Sequence, residues 1–375
     1  MRQVLGKDLN PVNDTDSLSD VAKEISGGFL AQEWAKKYLQ NLLVDTEEQE
    51  NPEQINWSEI VSTEGRKQTS QKILTSLRTV SAKAWSKTEF ILSEQVKLHR
   101  IDANVINPWD IAADSFKIYQ KALDVYAQSE TADFFSPVNQ LAEKRNLVYD
   151  QALEAYIQNI APVHLAKVIG ADLGAIRKKY TTPDPRVIGF VSLQFHYTGQ
   201  MLLEELNPYE RSLVGAYFKV VDDHLYMPLQ RAYEAAAKHD YNSPVIMAVQ
   251  KLLPVSTKIA KKICKRVIEL FPNYTSMSGS LHDSIVKTSS VRDVEMFQVY
   301  LWLSALEGNI SAIQEELFPL CVMLYPTLKV EWELVRQMLH LLRFEIQEYL
   351  TPEQVNTLMP SFQTLSLMFS SELLE

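Results

Sequence analysis

The sequence predicts an all-α protein. Three observations carry that reading. Five helix starts use one device, a capping residue followed by proline: Asn107-Pro108, Ser136-Pro137, Asn207-Pro208, Ser243-Pro244 and Thr351-Pro352. Apolar residues recur at steps of three and four over most of the chain. No stretch shows sustained period-two alternation, and Val187 to Phe195 is the one short candidate strand.

Composition bounds the class. The chain has 375 residues, 46% hydrophobic and 22% charged, which fits a soluble globular protein of two domains. A net charge of -10 argues against nucleic acid as a partner, because phosphate contacts need a basic surface. Met1 to Gly6 lacks the apolar run of a signal peptide. The longest uncharged apolar run, Leu317 to Leu328, is broken by Pro319 and Pro326. A spanning helix needs about 20 apolar residues, so no transmembrane segment is expected. Cys264 and Cys321 each sit in a helical pattern, which fits a reduced cytosolic compartment better than a disulfide scaffold.

In chain order, residues 1–16 are polar, and Ser17 and Asp20 stand in capping-box-like positions. Gly27-Gly28 interrupts, and a helix is expected from Phe29 to Val44. An acidic stretch follows, with Asp45, Glu47, Glu48, Glu50, Glu53, Glu59 and Glu64 and no basic residue among them. It reads as a solvated loop. Residues 66–104 read as one long helix or two, through Ile73, Leu77, Val80, Ala84 and Ile91. Thr181-Thr182-Pro183-Asp184-Pro185 cannot continue a helix and is the expected linker. It divides the chain into residues 1–185, a helical domain that matches no recognisable family, and residues 186–375.

Beyond the linker the helices are better marked. One is expected from Pro208 to His239, with Leu213, Val214, Tyr217, Phe218, Val221, Leu225 and Leu229 on one face. A face this apolar must cover something. A second runs from Pro244 to Leu253. A third, Pro254 to Leu270, carries an apolar stripe of Ile259, Ile263, Val267 and Leu270. Beside it lies a basic stripe of Lys258, Lys261, Lys262, Lys265 and Arg266, the candidate docking surface for an acidic partner.

Then comes Ser289-Ser290-Val291-Arg292-Asp293, read as the opening of a helix with Val294, Phe297, Leu301 and Ala305 on one face. Taken alone, Asp293 is a first-turn acid. Gly308 stands where a helix end wants a residue that tolerates positive φ. Further helices are expected over Ile310–Leu324, Val330–Leu350 and from Pro352 to about Ser371. No phosphate-binding glycine loop, HExxH, Gly-x-Ser-x-Gly or Cys–His pairing occurs, so no catalytic residues are expected.

The order of motifs over residues 208–350 resembles the phycobiliproteins, the light-harvesting subunits of the cyanobacterial phycobilisome. The motifs are an amphipathic helix, Phe271-Pro272, a polar loop with Gly279, then Arg292-Asp293 on a helix ending in Gly308-Asn309. The resemblance implies a globin-like domain with an extra N-terminal helical hairpin. In that family a linear tetrapyrrole is attached to a cysteine two residues before the arginine, while the aspartate binds the pyrrole nitrogens and the arginine a propionate. Here Arg292 and Asp293 match, but the attachment position is Ser290, and a hydroxyl does not replace a thiolate in that addition. The resemblance thus implies no covalent bilin. It leaves two readings: a colourless phycobilisome-related or photosynthesis-related binding and assembly protein, or a carrier or sensor that holds a bilin without a bond. Its partners would be phycobilisome or other photosynthetic proteins, in the cytoplasm or peripherally at the thylakoid membrane. Family members associate through the hairpin and the adjoining helices.

Cys264 and Cys321 read as buried small hydrophobes. Haem is disfavoured, because Ile310 to Leu324 holds no proximal histidine. His340 reads as core packing, and His196, His224 and His282 as isolated. Asp222-Asp223-His224 is a poor metal set, because consecutive helical residues point about 100° apart.

Overall fold

The structure, a computed structural model, describes residues 27–38, 59–60, 62–128 and 161–374. Ser17, Asp20, most of the acidic stretch and the Ser136-Pro137 start lie outside the described residues. The all-α expectation holds. Helix α1 covers residues 27–38. It is followed by α2 (Thr63–Leu98), α3 (Pro108–Gln128), α4 (Ala161–Thr181), α5 (Ile188–Glu204), α6 (Pro208–Tyr226) and α7 (Leu229–Ala236). Then come α8 (Pro244–Leu252), α9 (Ser256–Leu270), α10 (Ser284–Glu307), α11 (Phe318–Thr327), α12 (Trp332–Gln347), α13 (Pro352–Met368) and the short α14 (Ser371–Leu374). Between α9 and α10, β1 (Thr275–Ser276) and β2 (Gly279–Ser280) form a two-residue antiparallel ladder.

Side-chain caps explain the starts of α2, α3, α6 and α13. The Asn207 side chain accepts from the amides of Tyr209 and Glu210, while Glu210 accepts from the Asn207 amide at 3.2 Å. That reciprocal pair satisfies donors a helix start leaves open. Thr351 and Gln354 repeat it at α13. Gly308 ends α10 at φ 64, as its position predicts.

One buried apolar cluster runs from Leu30 in α1 to Phe369 after α13, without a break at Pro183. Helix α2 lies along α5, and α3 and α4 lie on α6. The α6 face that must be covered is covered here: Tyr126 of α3 meets Tyr217 edge-on at 5.2 Å, and Tyr119 meets Phe218 at 4.7 Å. The absent side chain of Gly189 lets α5 approach α11, since a Cβ there would sit 3.2 Å from Leu320 Cδ1.

Four expectations need correction. Val187 to Phe195 is not a strand but the start of α5, whose buried residues face all sides. A helix enclosed all round loses its amphipathic period and reads like a buried strand. The helix expected from Pro208 to His239 is two helices, because Pro228 cannot donate and pushes Met227 to an extended φ -113, ψ 143. The Arg292-Asp293 pair does not open its helix. Helix α10 starts at Ser284 after the extended Asp283, and the pair lies more than two turns in. The polar run Lys287 to Ser290 hid those first turns. His340 is exposed, edge-on to Phe344, because the buried stripe of α12 is Leu334, Val335, Met338, Leu339, Leu342 and Ile346.

Candidate functional site around Arg292 and Asp293

Placing Arg292 and Asp293 inside α10 rather than at its mouth changes their partners. Arg292 Nη1 donates to Asp222 Oδ2 at 2.8 Å and lies 3.1 Å from His196 Nδ1. Its guanidinium stacks on Tyr226, 4.1 Å from the ring centroid. Asp293 accepts from the hydroxyls of Tyr226 at 2.9 Å and Tyr325 at 3.5 Å. Burial alone would raise Asp222, but His196 and Arg292 outweigh it and hold the carboxylate below its usual range. For Asp293 burial dominates over Arg292 and Tyr226, and its carboxyl is pushed up. Thus His196, expected to be isolated, belongs to this cluster. The three consecutive residues Asp222, Asp223 and His224 face three neighbours: Arg292, Lys219 at 2.9 Å, and the Val220 carbonyl.

Ser290 is half-buried and lines a cavity of about 10 Å³ with Cys264, Val267, Leu281, Leu334 and Met338. That space is of the order of a single water, whereas small-molecule sites run to about 300–1,000 Å³. Burial pushes the Cys264 thiol up to about 12 and raises Cys321 as well, so both thiols stay protonated. Both are free and buried, as expected. The space beside Ser290 is too small for a tetrapyrrole. Arg292 Nε is a buried donor without a partner among the described residues.

With α10, its Arg-Asp pair and the helices packed on it in place, comparison with known families finds a match over part of the chain. Residues 221–367 match the family of phycobilisome proteins. The match begins within α6, runs through α10 to α12 and ends in α13, so Arg292, Asp293 and Ser290 all fall inside the phycobilisome segment. Phycobilisome proteins bind bilins. No curated protein and no solved structure matches the chain. No described helix is long and apolar enough to cross a membrane.

Two buried charge clusters tie the preceding helices to the phycobilisome segment, and sequence reasoning missed both. In the first, Lys37 of α1 is 5% exposed and donates to Glu295 at 2.8 Å and Ser256 at 2.7 Å. Thr257 also donates to Glu295. Burial would raise Glu295, but Lys37 and Lys219 hold it down at about 2. In the second, Arg177 of α4 donates to the Leu225 carbonyl, to Tyr300 at 2.6 Å and to Glu316 at 2.7 Å. Glu316 also accepts from Arg231 at 2.6 Å, and Arg231 pairs with Glu307. Glu316 sits in a wide π-helical turn, Ala312–Leu317, leading into α11. A signal existed: Glu295 stands alone in the apolar run Val294 to Leu303, and a lone acid there asks for a buried cation.

The basic stripe of α9 is exposed. Lys262 pairs with Glu345 at 2.8 Å and Glu348 at 3.2 Å, and Arg266 with Glu269. Lys258, Lys261 and Lys265 form no ion pair among the described residues.

Proposed function

We propose that this is a non-enzymatic, phycobilisome-related binding and assembly protein of a cyanobacterium that carries no covalent chromophore. The observation that carries the reading is the use made of Arg292 and Asp293. The two residues that match the bilin-binding pattern spend their polar groups on Asp222, Tyr226 and Tyr325 of the same chain. The position two residues before Arg292 is Ser290, not cysteine. The divide between a helical part, residues 1–185, and a phycobilisome-like part, residues 186–375, is then one of origin rather than of packing. The earlier helices take the α6 face through which family members associate, so pairing of the usual phycobilisome type is blocked. Lys258, Lys261 and Lys265 remain as the docking stripe for an acidic antenna protein, with Lys262 and Arg266 at its edge. The protein works in the cytoplasm or peripherally at the thylakoid membrane, without nucleic acid.

Co-expression with a bilin pathway and lyases tests the reading. Zinc-induced fluorescence on a denaturing gel is expected to be absent, and a fluorescent band on this chain would overturn it. For docking, reversing Lys258, Lys261 and Lys265 to glutamate should abolish capture of purified phycobilisome rods, and unchanged capture would discard the stripe. A second reading, a carrier that holds a bilin without a bond, is favoured by the unpartnered Nε of Arg292. A saturable red-region absorption change on titrating free bilin, lost in Arg292→Met, would move the assignment to it.

A further inference from the structure

A second cleft lies away from Arg292 and Asp293, between α1, α4, the end of α6 and α7. Its volume is about 320 Å³, within the range of small-molecule sites. The sequence builds it from small residues on facing helices. Gly28, Ala31 and Ala35 fall at steps of three and four on α1, and Ala166 and Gly170 are four apart on α4. They leave flat walls, and Trp34 and Tyr233 supply aromatic surface.

Gln32, Lys167 and Gln230 also line it, none of them fully buried, and one enclosed polar group is aimed into the space. His224 is 4% exposed and lines the cleft. Its Nδ1 lies 2.9 Å from the Val220 carbonyl, so Nδ1 carries the proton and donates. Nε2 is left as a bare acceptor, with no hydrogen-bond partner among the described residues. It faces Gly170, where an added Cβ would lie only 3.7 Å away. Burial pushes His224 down to about 4, so the ring is neutral at neutral pH.

We propose that the cleft binds a small planar heteroaromatic molecule whose ring N–H donates to His224 Nε2. The chemistry at Nε2 selects the class. A carboxylate or phosphate would set lone pair against lone pair there, and Lys167, the one charged side chain of the lining, is exposed. A metal ion would have a single histidine, since no cluster of His, Cys, Asp and Glu suited to a metal occurs among the described residues. An apolar guest would leave Nε2 buried and unpaired, which is costly. A flat N–H donor satisfies the nitrogen and fills the space between Gly- and Ala-lined walls. This inference does not rest on the proposed function.

The test uses the full chain, with indole and its carbon isostere indene as probes. Calorimetric titration should show one saturable indole site. His224→Phe keeps the bulk and removes the acceptor. It should cut the preference for indole over indene by about tenfold or more, the scale of one hydrogen bond to a buried acceptor. Ala31→Trp fills the cleft without touching His224 and should abolish binding of both probes. If His224→Phe does not fold, the nitrogen-15 shift of Nε2 in the wild type decides, and it should move on indole addition. No saturable indole binding, an unchanged preference in His224→Phe, an Nε2 shift that stays fixed, or binding that survives Ala31→Trp would each overturn the proposal.

Discussion

The Arg177 and Arg292 clusters are built from the same parts and do different things. Each has an arginine against a carboxylate and a tyrosine. Arg177 and Glu316 are both nearly enclosed, at 7% side-chain exposure each, and they join α4 to the π-helical turn. Arg292 and Asp222 are more open, at 15% and 20%, and join α10 to α6. Arg177 is anchored on a carbonyl, a hydroxyl and a carboxylate, while Arg292 keeps one donor idle among the described residues. The difference teaches that the enclosed cluster holds α4 onto the segment that matches the phycobilisome family. The more open one sets the charges of Arg292 and Asp222 against each other between α10 and α6.

The largest expected effect comes from breaking the enclosed cluster. Glu316→Ala strands Arg177 and weakens Arg231, and should cost about 3–5 kcal/mol in denaturant unfolding. The double variant Arg177→Met, Glu316→Met should lose less than Glu316→Ala alone, because no buried charge is left over. An equal or larger loss would place the cluster's worth in the pair itself. Lys37→Met comes next, at about 3 kcal/mol, because Glu295 keeps only Thr257 and the nearby Lys219. The sign with pH is fixed. Glu295 is depressed to about 2, so its contribution is present above about 4.5 and lost as pH falls through 2. The gap between wild type and Lys37→Met should therefore close on acidification, and a gap that widens would contradict the pairing.

A smaller effect belongs to His224. With a folded value near 4 against 6.5 unfolded, its neutral form is favoured in the fold. Stability should fall as pH drops below about 6.5, by about 2 kcal/mol between pH 7 and 5, and this slope should vanish in His224→Phe. The smallest loss is expected from Asp222→Asn, about 1 kcal/mol, because Arg292 keeps Tyr226 and the site is partly solvated. A loss as large as that of Glu316→Ala would erase the distinction between the two clusters.

What was legible in the sequence was what local chemistry decides. Asn207 with Glu210 and Thr351 with Gln354 are self-contained signals, and they open helices where expected. So does Gly308 as a stop. What escaped depends on neighbours far along the chain. Helix α5 is enclosed by α2 and α11, so its period vanished. Arg292 and Asp293 were singled out for ligand contacts on the family pattern, and their partners in the fold, Asp222, His196, Tyr226 and Tyr325, come from three other helices. The Lys37–Glu295 pair spans 258 residues of sequence, and no local rule pairs residues so far apart. The stripe on α9 was visible as charge, but not that Lys262 would be taken by Glu345 and Glu348 of α12 and its end.

The central proposal is that the helices before α5 form one permanent body with the segment that matches the phycobilisome family, covering the α6 face. Hydrogen exchange of the full chain in rising denaturant tests it most directly. The account predicts that the amides of α1, α4 and α10 lose protection together, at one denaturant concentration, and that Glu316→Ala shifts all three by the same amount. Loss of protection in α1 and α4 well before α10, with α10 unshifted by Glu316→Ala, would contradict it.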